Sequence, residues 1–192
     1  NEQVKTLQKS LKTAIQQQES RAKAEALNQS AIELYKGGDL LGALVAWNKA
    51  YELNSELQDV GRYLQQGIAK LLSFGVEGLD GNPEKETILN LFEQGVRSYV
   101  RSDFQTAIDF FKRAYAKAEG NAYLSAYLQK TNQMLEQQIA EFHQEGLRVR
   151  QAGDLAQAQK EFNKVLRLSP GHPEAVQQLT ALNAAIQQMT EK

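Results

Sequence analysis

Cysteine is absent from the 192 residues, and histidine occurs only at His143 and His172. The first absence excludes disulfides, thiolate nucleophiles and cysteine-ligated zinc. The second removes most hydrolytic and metal-site chemistry. Proline is scarce, at Pro83, Pro170 and Pro173, so long stretches carry no helix breaker. An excess of one charge is missing as well: 22 Lys and Arg face 23 Asp and Glu, for a net charge of -1. Nucleic-acid binders and polybasic membrane anchors need a basic surplus, so neither partner is expected. No run nears the ~18 consecutive apolar residues of a membrane span, and no direct membrane insertion is expected. There is no Gly-rich phosphate loop, no nucleophile elbow and no His pair at ligand spacing. The expectation is therefore no catalysis, no metal and no cofactor.

What is present points one way. Apolar residues make up 42% and charged residues 23%, ordinary values for a globular chain. Gln, Ala, Leu, Lys and Glu dominate the proline-free stretches, and all favour helix, which predicts an all-α fold. The chain opens on Asn1 rather than Met and reads as a processed chain or an excised fragment.

Three segments align without gaps: "AIELYKGGDLLGALVAWNKAYEL" from Ala31, "GVRSYVRSDFQTAIDFFKRAYAK" from Gly95 and "GLRVRQAGDLAQAQKEFNKVLRL" from Gly146. Each opens on a small residue and reaches Gly38-Asp39, Ser102-Asp103 or Gly153-Asp154 seven to eight places on. An apolar residue follows (Leu40, Phe104, Leu155), then a small one (Ala43, Ala107, Ala158), an aromatic (Trp47, Phe111, Phe162), and Ala50, Ala114 or Val165. Physically this is a helical hairpin. Gly ends one helix in the left-handed region, Asp caps the next, and Ala lets the two backbones approach while the aromatic fills the groove.

The pattern closely resembles the tetratricopeptide repeat, and the third copy keeps that family's terminal proline as Pro170. Copies one and two have Ser55 and Glu119 there. The spacing departs from the family: Asp39 and Asp103 lie 64 residues apart and Asp103 and Asp154 lie 51 apart, against a unit of about 34. The excess is roughly 30 and 17 residues. The first insert, 56–74, reads as a helix with a capping box at Ser55 and Gln58 and a stripe of Val60, Tyr63, Leu64, Ile68, Leu71 and Leu72. A loop through "SFGVEGLDGNPEK" follows, then a helix capped by Asn82 with Pro83 at its first position. The second insert, 121–138, extends one helix from about Asn121 to Gln151. The expected organisation is an N-terminal helical extension over 1–23 and a helical domain over 24–192. Within the latter, repeats fall at about 24–55, 88–120 and 139–172, and a capping helix at 173–190 shows Val176, Leu179, Leu182, Ile186 and Met189 on one face. In the extension, Val4, Leu7, Leu11 and Ala14 follow a 3-4 spacing that Gln18 and Arg21 break. It reads as a coiled-coil seam or as an amphipathic extension that packs on its own body or frays.

The resemblance implies a protein-interaction module whose first helices line a groove for a partner helix or extended peptide. Carried over by position, the groove residues are Asn28, Ile32, Tyr35 and Lys36 in copy one, Phe92, Val96, Tyr99 and Val100 in copy two, and His143, Leu147 and Arg150 in copy three. The family members that clamp a chaperone's C-terminal carboxylate use Lys and Asn where this chain has Asn28 and Ile32, so that specialised role is not expected. An alternative is that the two inserts pack into the groove and make Tyr35, Phe92 and Tyr99 core residues. His143 reads as a surface or groove residue, and His172 as a turn residue. The functional expectation is a non-catalytic scaffold in a bacterial, envelope-associated assembly. A homo-oligomer paired through its end helices, a docking domain of a larger enzyme and a chaperone for a secreted or pilus-like client stay open.

Overall fold

The computed structural model describes residues 2–57, 59–75 and 77–190. Among them the chain is all-α, with eight helices: α1 (Glu2–Lys36), α2 (Leu40–Leu53), α3 (Val60–Gly75), α4 (Lys85–Val100), α5 (Phe104–Lys117), α6 (Ala122–Gln151), α7 (Leu155–Leu168) and α8 (Pro173–Thr190).

The three aligned segments are the hairpins α1–α2, α4–α5 and α6–α7, and their turns share one set of bonds. The N–H of Asp39, Asp103 and Asp154 reaches back to the carbonyls of Leu34, Ser98 and Val149, at 2.9, 3.0 and 3.0 Å. The preceding N–H of Gly38, Ser102 and Gly153 bonds Tyr35, Tyr99 and Arg150. These are Schellman closures, which satisfy the carbonyls a helix end leaves free. They put the residue before each Asp in the left-handed region, at φ 88° for Gly38, 60° for Ser102 and 84° for Gly153. The same Asp then caps the next helix: its carboxylate accepts from Gly42, Thr106 or Gln157 at 3.1, 3.3 and 2.9 Å. One residue thus closes one helix and opens the next.

In the second and third hairpins the small residue that opens the segment faces the aromatic of the second helix. A Cβ built on Gly95 would lie 2.4 Å from Phe111 Cε1, and one on Gly146 would lie 2.8 Å from Phe162 Cε1. Trp47, Phe111 and Phe162 are all buried, as is Ala31 at the equivalent first position.

Chain contacts divide the molecule into two compact units, 1–128 and 129–192, and the division falls inside α6. In the first unit α3 packs on α2 and on α4. Gly75, the last residue of α3, abuts Phe92, and a Cβ there would lie 2.3 Å from its ring. In the second unit Val149, Ala158, Phe162, Val165, Ala175, Leu179 and Leu182 form the core, flanked by Ile139, Phe142, Leu147, Leu155 and Leu166. On α8, Leu179 and Leu182 are interior, whereas Val176 is 45% exposed and leaves the core to Ala175. The side chain of Met189 lies outside the described residues.

Two expected helix starts are displaced. Ser55 sits in an exposed turn five residues before α3, so it cannot cap that helix, and Gln58 lies outside the described residues. Asn82 accepts from the Glu84 N–H at 2.8 Å, but the helix begins at Lys85, beyond Pro83. Asn121 caps α6 through the Leu124 N–H at 3.0 Å. Along α1, the first buried residue is Ala24. The stripe before it is open to solvent, with Val4 49%, Leu7 69%, Leu11 63% and Ile15 47% exposed, so the extension does not pack on its own body.

Gly146→Ala should lower the unfolding free energy by about 1–3 kcal/mol through the clash with Phe162. Gly171→Ala, with nothing within 4 Å of its Cβ position, should leave stability unchanged or raise it by about 0.5 kcal/mol. Urea unfolding followed by circular dichroism separates the two.

Candidate functional site

The last turns of α1, the middle of α2 and the face of α3 enclose a cleft of about 410 Å³, lined by Ile32, Tyr35, Lys36, Trp47, Tyr63, Gln66, Gly67 and Lys70. Its floor is Trp47, the only tryptophan in the chain, 3% exposed. The indole Nε1–H donates to Asn28 Oδ1 at 3.0 Å, which satisfies the one polar atom of a buried ring and fixes its orientation. Tyr35 and Tyr63 flank it, with centroids at 5.9 and 5.2 Å. Tyr35 stays 42% exposed.

Gly67 brings α3 close enough to form the far wall. A Cβ there would lie 2.7 Å from Leu44 Cδ2, so a side chain would have to displace Leu44 or push α3 off α2. One turn on, the Lys70 ammonium lies 5.0 Å from the centroid of the Tyr35 ring and donates to its hydroxyl at 3.2 Å. This cation-to-face contact holds a flexible side chain at the rim. A larger cleft of about 840 Å³ runs along α1, but Thr13, Gln16, Gln17, Gln18, Ser20 and Arg21 make it mainly polar. An aromatic floor with a few polar groups at the rim is the arrangement that seats an apolar side chain.

Of the residues expected in the groove, Ile32, Tyr35 and Lys36 line this cleft, and Asn28 supports its floor. The copy-two residues do not. Phe92 and Val96 are fully buried, Tyr99 is 1% exposed and Val100 4%. For Phe92 the cause is the two inserted helices. Gly75 of α3 lies against Phe92, and Tyr127 of α6 covers it, with centroids 5.1 Å apart; Phe111 completes that cluster at 5.7 Å from Phe92. Tyr99 meets Phe104 edge-on at 5.2 Å. Thus Phe92 and Tyr99 are core, while Tyr35 is not.

The copy-three residues belong to the second unit. His143 is buried rather than at the surface, edge-on to Phe162 at 5.7 Å and 5.2 Å from the His172 ring. Its Nε2 lies 3.5 Å from a Glu174 carboxylate oxygen without a hydrogen bond. His172 does more than occupy a turn: its Nδ1 accepts the Ala175 N–H at 3.3 Å, capping α8 ahead of Pro173. Leu147 packs on the core, and Arg150 is exposed and donates to Gln178. Glu161 is 3% exposed and pairs with Lys164 at 2.7 Å.

Tyr63, Gln66, Gly67 and Lys70 were not among the groove residues foreseen from the alignment, because α3 lies in an insert. Their 3-1-3 spacing places them on one helical face, which is the signal that identifies them. Among the described residues no group of three or more His, Asp or Glu side chains is arranged to hold a metal ion. No helix among them is long and apolar enough to cross a membrane. Comparison with protein-family models, with curated proteins and with solved structures finds no match.

Tyr99→Ala should cost about 3–5 kcal/mol of stability and Tyr35→Ala about 1 kcal/mol or less, read by chemical unfolding. Burial, reinforced by the Asp39 carboxylate, pushes the Tyr99 phenol up to about 12, and burial raises Tyr127 in the same direction. An unfolded tyrosine ionises near pH 10, so above that pH the unfolded chain loses protons that the folded chain keeps. The contribution is fully present below about pH 10 and is lost as pH rises toward about 12. Tyr99→Phe should flatten the alkaline limb of a Tm-versus-pH curve.

Proposed function

We propose that this chain is a non-catalytic interaction module of tetratricopeptide type, which displays a preformed helical surface to another protein within an assembly. The observation that carries the reading is the open, aromatic-floored cleft between α1 and α3. Three hairpins with the same closure and the same Asp cap, two of them with the same glycine-to-ring contact, support the repeat assignment. A cleft whose floor is a hydrogen-bonded indole and whose walls are helices requires little ordering on binding, which favours affinity. Aromatic residues in such positions commonly dominate interface energetics.

The test is affinity capture from the source organism with the wild-type chain and a Tyr35→Ala/Tyr63→Ala version of equal helicity. A partner held by the first and lost by the second, with Trp47 emission shifted on binding, supports the reading. A partner held equally by both removes the cleft from the interaction.

A second reading, self-association through α1, is favoured by the exposed Val4, Leu7, Leu11 and Ile15. A helix stripe left in water is the feature that pairing would bury. Concentration-dependent mass in sedimentation equilibrium, abolished by Leu7→Ser/Leu11→Ser, is the expected outcome. A monomer at all concentrations rejects this reading.

A further inference from the structure

The charge around the α1–α3 cleft narrows the class of partner. Two ammonium groups line it, Lys36 from the last turn of α1 and Lys70 from α3, and no carboxylate does. Neither lysine has an acidic partner within 4 Å among the described residues, whereas Lys85, Lys117 and Lys164 each have one. The chain as a whole carries a net charge of -1, so the imbalance is local. Lys70 uses one donor on the Tyr35 hydroxyl, and an ammonium has three. Beneath the two cations lies an apolar floor of Trp47, Tyr35 and Tyr63, in a volume of about 410 Å³. Pockets of roughly 300–1,000 Å³ seat small ligands and anchoring side chains.

Resting on the interaction reading above, we propose that the cleft takes an acidic peptide segment. One aromatic or long aliphatic side chain would lie on the tryptophan floor, and a neighbouring Asp or Glu carboxylate would be held by Lys70 and Lys36. The two requirements come from different atoms. The floor excludes water from the anchor and supplies the apolar contribution. The lysines then act on a carboxylate at the edge of a low-dielectric surface, where a charge-assisted hydrogen bond is stronger than in open water. A basic segment meets the opposite field, so the same two residues reject it. The groups concerned are side chains, and the cleft carries no feature that demands a chain terminus. Nucleic acids and anionic membranes call for a broad cationic surface rather than two cations around one aromatic floor.

The experiment is selection of a displayed random seven-residue peptide library on the full chain, with the recovered peptides then titrated against Trp47 emission. The expected result is enrichment of Asp or Glu within two positions of Phe, Trp, Leu or Ile. Replacement of those acids by their amides should weaken binding at least tenfold, as should Lys36→Gln/Lys70→Gln. The charge-reversed Lys36→Glu/Lys70→Glu chain should select basic residues in their place. Both lysines are exposed, and circular dichroism is the check that each variant keeps its helicity. Neutral or basic selection on the wild-type chain, no enrichment, or acidic peptides that bind the Gln variant equally well would overturn the proposal. These outcomes leave the interaction reading separately decided. A protein partner captured in a Tyr35- and Tyr63-dependent manner, yet indifferent to the lysine variants, keeps the module and rejects the acidic class. Loss of Tyr35 and Tyr63 dependence rejects the cleft altogether.

Discussion

The close approach of a small residue on one helix to an aromatic ring on the next is the contact on which the hairpins depend. In α4–α5 and α6–α7 the ring edge lies where the Cβ of any other residue would sit, at Gly95 and Gly146. Because interiors are packed to crystal-like density, such a contact tolerates no extra methyl without displacement. The rings themselves are fully buried, so each hairpin draws much of its burial from one large side chain in one small space. Glycine inside a helix costs about 1 kcal/mol of propensity, which the burial of the ring offsets.

The turns work together with that contact. A Schellman closure followed at once by an Asp cap leaves no connecting loop, so the second helix returns directly against the first. Ser102 shows the closure outweighing local preference, since a serine holds the left-handed conformation that glycine occupies at the other two turns. The geometry then brings Asn28 of α1 to the Trp47 indole of α2, a bond between residues 19 apart in sequence.

The two inserted segments have opposite consequences. Tyr127 of α6 lies on Phe92 and closes the face of α4 that a groove would need. By contrast, α3 approaches α2 through Gly67 but leaves Tyr35 uncovered, so a cleft remains between it and α1. The inserts differ in what they lay over the rings: α6 sets Tyr127 on Phe92, whereas α3 sets Tyr63 beside Trp47 and leaves Gln66, Gly67 and Lys70 around Tyr35. Amide and ammonium groups stay hydrated at the rim rather than fill the space.

Helix content, the three turns, the long α6 and the buried Trp47, Phe111 and Phe162 were legible in the sequence, because each rests on local chemistry. Gly-Asp at a helix junction, an unbroken run without Gly or Pro, and a small residue sixteen places before an aromatic are read within one hairpin. The fate of the groove was not legible. Tyr35 and Tyr99 occupy the same position of the aligned segments, yet one is 42% exposed and the other 1%. Only the tertiary structure decided that Phe92 is covered by Tyr127 and Gly75 while Tyr35 is left facing Lys70. That distinction depends on where the inserted helices lie, which follows from long-range packing between elements that share no sequence pattern.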